Sequence, residues 1–340
     1  MAQCRACVWV SAVLLVWVAG HAQGEVVNVA TEVESHLGNR GPAFEEGVTP
    51  SKLGWGGNDQ AYADLFVVNP IDGAEMVWVP AGTFRMGSTQ EEIDGLWQAN
   101  GWGPDWKQVP GDEKPAHEVT LTRGFWLHRH EVTNGQYGRF LAATGHEAHP
   151  HWDDYKAHER LPVNWVSWDD ASAYAEWAGG ALPTEAQREY AARGPAGHPF
   201  PWGGQWDRDR CNSAEYWAKK PLNTIAAWQA WFDADLGDEV TSPEIIAHLR
   251  EVGSFPSGAS WCGALDLAGN VWEWCADWYG KSYYAVSPVE DPSGPATATG
   301  RVLRGGSWNS FALGCRAAVR GLDAPAYRLR SSGFRVATTP

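Results

Sequence analysis

The chain has 340 residues, with 41 acidic against 26 basic side chains and a formal net charge of −15. This acidic excess argues against nucleic acid or an anionic membrane as partner, because binding to phosphates depends on a basic surface. Apolar residues make up 44% of the chain and charged residues 20%, which is typical of a globular protein rather than a disordered one. Tryptophan is abundant, with 22 residues, and we expect most of the indoles to pack in the core.

The N-terminus has the pattern of a signal peptide. Arg5 precedes an almost wholly apolar run over residues 8–19, and Gly20 and Ala22 supply small residues before the expected cleavage point. The run is too short to span a membrane, and no longer one follows. We therefore expect residues 1–22 to be removed, which leaves a secreted or periplasmic protein without a membrane span.

The remaining chain is divided by its periodicity. Residues 23–73 show no sustained pattern and are interpreted as an N-terminal extension, whereas 74–340 are predicted to form the main domain. The predicted elements at its start are strands at 75–80 and 83–86, a Gly- and Trp-rich loop at 88–115, and a strand pair over 117–131 with a turn at 123–124.

Three helices are marked by Ser or Thr at the start and glycine at the end. Such hydroxyls accept hydrogen bonds from the first free N–H groups, and glycine tolerates the left-handed backbone that ends a helix. The helices are predicted at 134–143, 168–178 and 185–193. A Trp-rich segment at 213–250, with a short helix from 242, is interpreted as an insertion. Short strands, few helices and much irregular structure predict an α+β fold.

Nine motifs occur in a fixed order along the main domain. They are MVWVPAGTFRMGS at 76–88, EVTN at 131–134, LPVNWVSW at 161–168, LPTEA at 182–186, YAARG at 190–194, FPWG at 200–203, GNVWEW at 269–274, RGGSW at 304–308 and GFR at 333–335. In order and content they resemble the formylglycine-generating enzyme, or sulfatase-modifying factor, family over about residues 74–337. The resemblance implies a variant of the C-type lectin fold.

The resemblance also implies a copper chemistry that this chain is not equipped for. Active members oxidise a sulfatase cysteine with molecular oxygen and bind copper through two thiolates after the Gly-Gly-Ser-Trp segment, and soft sulfur ligands select Cu(I). Here Ser310 stands at the first thiol position, and the shortened segment leaves Cys315 without a clear match to the second. Copper and formylglycine formation are therefore not expected. The candidate ligand-binding residues of this segment are Ser307, Trp308, Asn309, Ser310, Arg316 and Arg320.

Four cysteines remain after removal of the signal peptide, and an even number favours disulfides in an oxidising compartment. The residues alone leave three pairings open. The resemblance implies Cys275 with Cys315, because family members with a cysteine after the Trp-Glu-Trp segment often carry one before this arginine. The alternative for Cys315 is a buried free thiol. Cys211 and Cys262 would then be the second pair.

A calcium site is implied at residues 266–273. By resemblance its ligands would be the carboxylates of Asp266 and Glu273 and the carbonyls of Gly269 and Val271. Four oxygens from a tight turn suit a hard cation that accepts irregular geometry. The alternative is a turn whose acidic side chains simply accept backbone hydrogen bonds.

Other metal candidates are less specific. A second family calcium site would begin at Asn212 and Ser213, but the insertion obscures its other ligands. Two groups of histidines could hold a transition metal, although neither has a specific ligand spacing and solvent-facing histidines are the simpler interpretation. The two groups are His128 with His130, and His146 with His149 and His151.

Three functions remain open from the sequence. The first, which we favour, is a non-catalytic binding or accessory protein, and the second is an oxidase that uses another metal site. The third is a ligand-binding protein diversified by a retroelement, with variable positions on a fixed frame over 308–334; an adjacent reverse transcriptase would decide for it. The candidate variable positions are Ser310, Phe311, Leu313, Gly314, Val319, Gly321, Leu322, Tyr327 and Leu329.

Overall fold

The structure is a computed structural model that describes residues 16–18, 65–104, 112–236 and 241–339. Its strands are β1 (Val16–Val18), β2 (Leu65–Val68), β3 (Glu75–Val79), β4 (Gly82–Met86), β5 (His117–Leu121), β6 (Phe125–His128), β7 (Trp272–Trp278), β8 (Arg301–Arg304), β9 (Arg320–Asp323), β10 (Ser332–Gly333) and β11 (Ala337–Thr338). Its α-helices are α1 (Gln90–Asn100), α2 (Asn134–Thr144), α3 (Trp152–Tyr155), α4 (Trp168–Trp177), α5 (Glu185–Arg193), α6 (Ala214–Ala218), α7 (Ile225–Leu236) and α8 (Ser242–His248). These short elements and long connections confirm the α+β prediction.

The strands form three sheets. The first has the order β1–β2–β3–β6–β11, with every neighbouring pair antiparallel. The second has the order β10–β7–β8–β9, in which β10 runs parallel to β7. The third is the β4–β5 pair. Because β11 pairs with β6 and β2 pairs with β3, the two ends of the main domain meet in one sheet.

The beginning of the first sheet differs from the sequence prediction. β2 lies within the segment interpreted as an extension, so the sheet starts ahead of Glu75. β1 falls inside the predicted signal peptide and pairs with β2, and the rest of the signal peptide lies outside the described residues. Within the described part of the chain, no helix is long and apolar enough to cross a membrane.

Two local predictions were wrong. The strands predicted as a pair over 117–131 do form, but β5 pairs with β4 and β6 pairs with β3. The segment predicted as a loop at 88–115 contains α1. Thr89 begins this helix with a reciprocal capping box, in which its hydroxyl accepts from the Glu92 N–H and the Glu92 carboxylate accepts from the Thr89 N–H.

The three helices predicted from their capping residues are confirmed within one residue at each end. Thr133, Ser167 and Thr184 each accept a hydrogen bond from the third helical N–H, and the side chain at that position bonds back to the cap. Each cap stabilises its helix by about 1 kcal/mol. The helix α5 matters most for the site, because eight of its nine residues are buried.

Aromatic side chains fill the main cores. One core packs α5 against β4, β5 and β6, and the other packs α2 and α4 against β7 and β8. The second includes Tyr137, Phe140, Tyr174, Trp274 and Phe334, all with almost no exposed surface. The Trp274 indole also donates to the Val166 carbonyl at 3.0 Å. Indole packing of this kind is what the tryptophan content predicts.

Replacing Trp274 with alanine tests the packing of the second core. We expect the free energy of unfolding to fall by roughly 3–5 kcal/mol, because a buried indole and its hydrogen bond are lost. Leu322→Ala on β9 is the control, since Leu322 is 48% exposed and should change stability by no more than about 0.5 kcal/mol. Denaturant titration followed by circular dichroism measures both, and equal losses would contradict this core assignment.

Candidate functional site

The loop that follows β8 contains the first candidate residues. Gly305 and Gly306 both have positive φ, 97° and 76°, which turns the chain sharply after the strand. The Ser310 hydroxyl accepts from the Ser307 N–H at 2.9 Å, and the Trp308 N–H donates to the Asn270 carbonyl at 2.8 Å. At the position of the family's first thiol, the hydroxyl therefore holds the loop in place.

The insertion covers this loop. The Trp228 indole on α7 donates to the Asn309 carbonyl at 2.8 Å, and the Ala214 N–H on α6 donates to the Ser310 carbonyl at 2.9 Å. The His248 ring at the end of α8 lies against Trp308, with ring centroids 5.1 Å apart. Trp308 is fully buried in a cluster with Leu236, Ile245 and Leu249 from α7, α8 and the residue after α8. The three helices of the insertion thus close over the segment that the sequence identified as a ligand site.

The two candidate arginines are occupied by carboxylates. Arg316 makes a two-pronged ion pair with Glu113, at 3.0 and 2.7 Å, and Arg320 makes another with Glu185, at 2.7 and 2.9 Å. All four side chains are buried. Bidentate pairs of this kind use most of the donors of a guanidinium. The structure therefore holds Ser307, Trp308, Asn309 and Ser310 in one loop and places the two arginines on Glu113 and Glu185. Of the six candidates it buries five, and only Asn309 is partly exposed.

A further buried acid adjoins this network. Asp277 on β7 accepts a hydrogen bond from the Glu185 N–H at 2.7 Å, at the start of α5. Burial, with the neighbouring Glu185 charge added, raises the pKa of Asp277 to about 8. The folded protein therefore holds a proton on Asp277 at neutral pH, whereas an unfolded aspartate loses its proton near pH 4.

Asp277→Asn tests this assignment through the pH dependence of stability. Between about pH 4 and pH 8 the folded state binds more protons than the unfolded state, so the free energy of unfolding falls as pH rises. Asparagine keeps a neutral acceptor for the Glu185 N–H and does not titrate. We therefore expect the difference in free energy of unfolding, variant minus wild type, to increase by about a few kcal/mol between pH 5 and pH 9. Denaturant titrations at both pH values measure it, and parallel changes in the two proteins would contradict the assignment.

The turn at 266–273 is the candidate calcium loop. Asp266, Gly269 and Asn270 have φ values of 56°, 78° and 62°, so three of its residues are left-handed. A Cβ on Gly269 would lie 2.1 Å from the Asn212 carbonyl oxygen, so only glycine fits that position. The turn is therefore packed tightly against residue 212.

The structure does not fit Glu273 as a calcium ligand. Arg188 donates to both carboxylate oxygens of Glu273 at 2.8 and 2.9 Å, and Arg335 donates to the same two oxygens at 2.7 and 2.9 Å. All three side chains are fully buried. A carboxylate has about four lone-pair sites, and the two guanidinium groups use them.

The other acid of the turn accepts a backbone hydrogen bond. Asp266 accepts from the Gly253 N–H at 2.7 Å, and burial raises its pKa to about 6. Beside it lies Glu131, a residue that the sequence did not single out, which accepts from the Val271 N–H and from the Asn270 amide. Burial, followed by the charges of Asp266 and Glu273, raises the pKa of Glu131 well above its usual value. This arrangement matches the alternative of a hydrogen-bonded turn.

The residues predicted to begin a second calcium site have other partners. The Asn212 amide donates to the His248 carbonyl at 2.8 Å and to the Asn270 amide oxygen at 2.9 Å, and its own oxygen accepts from the Trp217 indole. Ser213 caps α6. Asn212 thus joins the insertion to the turn at 266–273, whereas Ser213 belongs to the start of α6.

All four cysteines of the main domain are free and buried. Neither implied disulfide is formed. Cys262 lies beside Ser260 and the Ala191 carbonyl. Cys275 lies on β7, where burial, followed by the charge of the nearby Asp277, raises the pKa of its thiol. The pair that the fold does bring together is Cys211 and Cys315, which pack with Ala268. Burial raises the pKa of the Cys211 thiol well above its usual value, and the adjacent Cys315 raises it further.

Peptide mapping without reduction tests the cysteine arrangement. After refolding in a glutathione redox buffer, we expect any bridge to join Cys211 and Cys315, with two electrons passing to oxidised glutathione. Cys262 and Cys275 should remain thiols that alkylate only after denaturation, because neither contacts another sulfur. Cys275→Ser should leave the map unchanged and Cys315→Ser should abolish the bridge. A peptide linking Cys275 to Cys315 would contradict the structure.

The histidines do not converge on a metal site. His128 is buried with its Nε2 atom 3.3 Å from Asp72, and His146 contacts Asp170 at 2.9 Å. His149 packs between Trp152 and Tyr155, and His151 lies against Trp165. Across the described residues, no group of three or more His, Cys, Asp or Glu side chains could hold a metal ion.

A polar cavity of about 490 Å³ lies next to the candidate turn. Its arginines are already engaged: Arg129 with Glu75, Arg139 with the Asp72 carbonyl, and Arg160 with Glu251. His130 also lines the cavity, and burial, followed by Arg129, lowers its pKa to about 3. A neutral imidazole in a polar cavity is compatible with binding a small ligand. The cavity could not be predicted from the sequence, because its lining comes from five separate segments.

Comparison with known proteins agrees with this architecture. Residues 63–340 match the family described as sulfatase-modifying factor enzyme 1-like domain. The formylglycine-generating enzyme of Streptomyces coelicolor is 35% identical, over 77% of this chain and 88% of its own length. The serine/threonine-protein kinase Pkn1 of Chlamydia trachomatis is 32% identical, over 77% of this chain but only 38% of the kinase. The solved structure of PvdO from Pseudomonas aeruginosa superposes with a TM-score of 0.58 at 26% identity, covering 81% of this chain and 98% of PvdO.

The fold is therefore the formylglycine-generating variant of the C-type lectin fold. The chain belongs to the sulfatase-modifying factor family.

Proposed function

We propose that this protein is a secreted binding or accessory protein that does not generate formylglycine. The observation that carries the proposal is the state of the loop after β8. It has a hydroxyl at Ser310 in place of a thiol, and α6, α7 and α8 close over it. A substrate peptide could reach Trp308 and Ser310 only if the insertion moved away, and Trp308 would then lose its buried contacts.

The residues present do not fit the copper ion of the active enzymes. The Ser310 hydroxyl is a hard donor already bonded to the Ser307 N–H, whereas Cu(I) is selected by soft sulfur ligands. The Cys211–Cys315 pair does place two sulfur atoms together, but their residues are only 2% and 0% exposed and pack against Trp202 and Trp206. A substrate cysteine therefore cannot contact that pair unless the surrounding side chains move.

The relatives support the family without deciding the activity. Relatives named as a formylglycine-generating enzyme and as a protein kinase have nearly the same identity to this chain, 35% and 32%. Similarity at this level therefore accompanies proteins of different names. Function has to be argued from the site, and here the loop after β8 is covered by helices of the insertion.

The two other functions have less support. An oxidase with a histidine-bound metal lacks a converging ligand group among the described residues. For a retroelement-diversified protein, the variable positions should be exposed, yet Leu313, Gly314 and Val319 are buried, and free variation there would disrupt the core. Leu322 and Tyr327 are the clearly exposed ones, at 48% and 60%.

An aldehyde assay tests the proposal. The purified exported protein is incubated with Cu(I), oxygen, a thiol reductant and a cysteine-containing sulfatase-type peptide, and the peptide aldehyde is captured with a hydroxylamine probe. The Streptomyces coelicolor relative serves as the positive control. We expect no aldehyde from the wild type, and none from Ser310→Cys, because the insertion still covers the loop. Copper-dependent aldehyde formation by the wild type would overturn the proposal.

A further inference from the structure

The guanidinium of Arg188 contacts the turn that was expected to hold calcium. Its Nη2 atom donates to the Leu267 carbonyl at 3.0 Å and to one oxygen of Glu273 at 2.9 Å, while its Nε atom donates to the other oxygen at 2.8 Å. The group thus bridges the Leu267 carbonyl, which was not among the expected calcium ligands, and the Glu273 carboxylate, which was. A calcium ion in this turn would have to bind the same kinds of oxygen.

The backbone opposite Arg188 is shaped around this side chain. Gly305 has a φ of 97°, and a Cβ there would lie 2.6 Å from Arg188 Nη2. The Gly305 carbonyl also accepts from the Gly269 N–H at 2.9 Å, so the glycine is fixed against the turn. The space beside the turn is therefore filled by the arginine and closed by Gly305.

The charges at Glu273 are balanced from within the protein. Burial alone would raise the pKa of Glu273, but Arg188, followed by Arg335, outweighs that effect and lowers it. Arg335 continues away from the turn to the carbonyls of Leu265, His128 and Arg129. Of the two guanidinium groups, only Arg188 contacts a carbonyl of the turn itself.

We propose that Arg188 replaces calcium in this turn, so that the domain folds and keeps its stability without a bound divalent cation. The arginine supplies the positive charge between the Leu267 carbonyl and the Glu273 carboxylate. A guanidinium stays charged throughout the accessible pH range, and a chelator cannot remove a side chain as it removes a bound ion. The stability of the turn therefore does not depend on the calcium concentration. The proposal concerns the stability of the fold and does not depend on the proposed function.

Calcium titration of the wild type is the first test. The protein is purified, treated with a chelator and dialysed, and its melting temperature is measured in EDTA and in millimolar Ca²⁺, with Mg²⁺ as the control for ionic strength. We expect no difference between the Ca²⁺ and Mg²⁺ samples, and isothermal titration should show no stoichiometric Ca²⁺ binding that requires Glu273. Stoichiometric binding that Glu273→Gln abolishes would overturn the proposal.

Arg188→Gln is the second test. Removing the guanidinium leaves room and a carboxylate oxygen beside the Leu267 carbonyl, so we expect a lower melting temperature in EDTA that Ca²⁺ restores in part. Arg188→Lys keeps the charge and should remain insensitive to Ca²⁺. The matched control is Arg316→Gln, which removes another buried arginine from its carboxylate, outside the turn, and should destabilise the protein without any response to Ca²⁺.

The variant has two further outcomes. A folded Arg188→Gln protein that ignores Ca²⁺ would contradict the claim that the arginine occupies a calcium position. If Arg188→Gln does not fold in either condition, the calcium titrations of the wild type and of Glu273→Gln decide the proposal, because both of those proteins retain Arg188.

Discussion

The fold depends on the carboxylate of Glu273 and the two guanidinium groups that enclose it. Arg188 reaches it from α5 and Arg335 from the segment between β10 and β11, while Glu273 itself lies on β7. Through its other hydrogen bonds Arg335 also holds the end of β6. One buried anion therefore joins the helix and both large sheets. Removing a single partner from such a cluster costs about 3–5 kcal/mol, because a charge is left buried without compensation.

Buried ion pairs also occupy the candidate arginines beyond the loop after β8. Arg316 and Arg320 are held by Glu113 and Glu185, and the loop between β8 and these arginines is held by its own serine hydroxyls. Side chains that could bind a ligand are instead engaged in hydrogen bonds and ion pairs within the protein. The insertion completes the change, since its helices bury Trp308 and hydrogen-bond to the loop carbonyls.

The sequence predicted the fold class and the helices well because those features have local signals. Thr133, Ser167 and Thr184 each predict the start of a helix from the few residues that follow them. The same signal was present at Thr89 and Glu92, yet the glycines and tryptophans around α1 favoured a loop. Strand partners were predicted less well, since β5 and β6 are neighbours in the chain but pair with other strands. Pairing is decided by contacts between distant residues.

The candidate site shows the same division. The motifs point to six residues after β8 as candidates, but nothing in them reveals that Glu113, 203 residues away from Arg316, neutralises it. Arg188 lies between the recognised motifs LPTEA and YAARG and carries no signal of its own. Its meaning appears only when Leu267 and Glu273 are placed around it. The contact between Cys211 and Cys315 is likewise a tertiary contact, made where both residues pack with Ala268, and could not be predicted from their spacing.

The closure of the insertion over Trp308 limits how this scaffold could be re-engineered. Substituting cysteines into the loop would change only a few side chains and would leave the covering helices α6, α7 and α8 in place. Deleting the helices to uncover the loop would remove Leu236 and Ile245, which now shield the Trp308 indole, and would expose that indole to solvent. An enzyme could be rebuilt on this chain only by redesigning the covering segment and the surface beneath it as one unit.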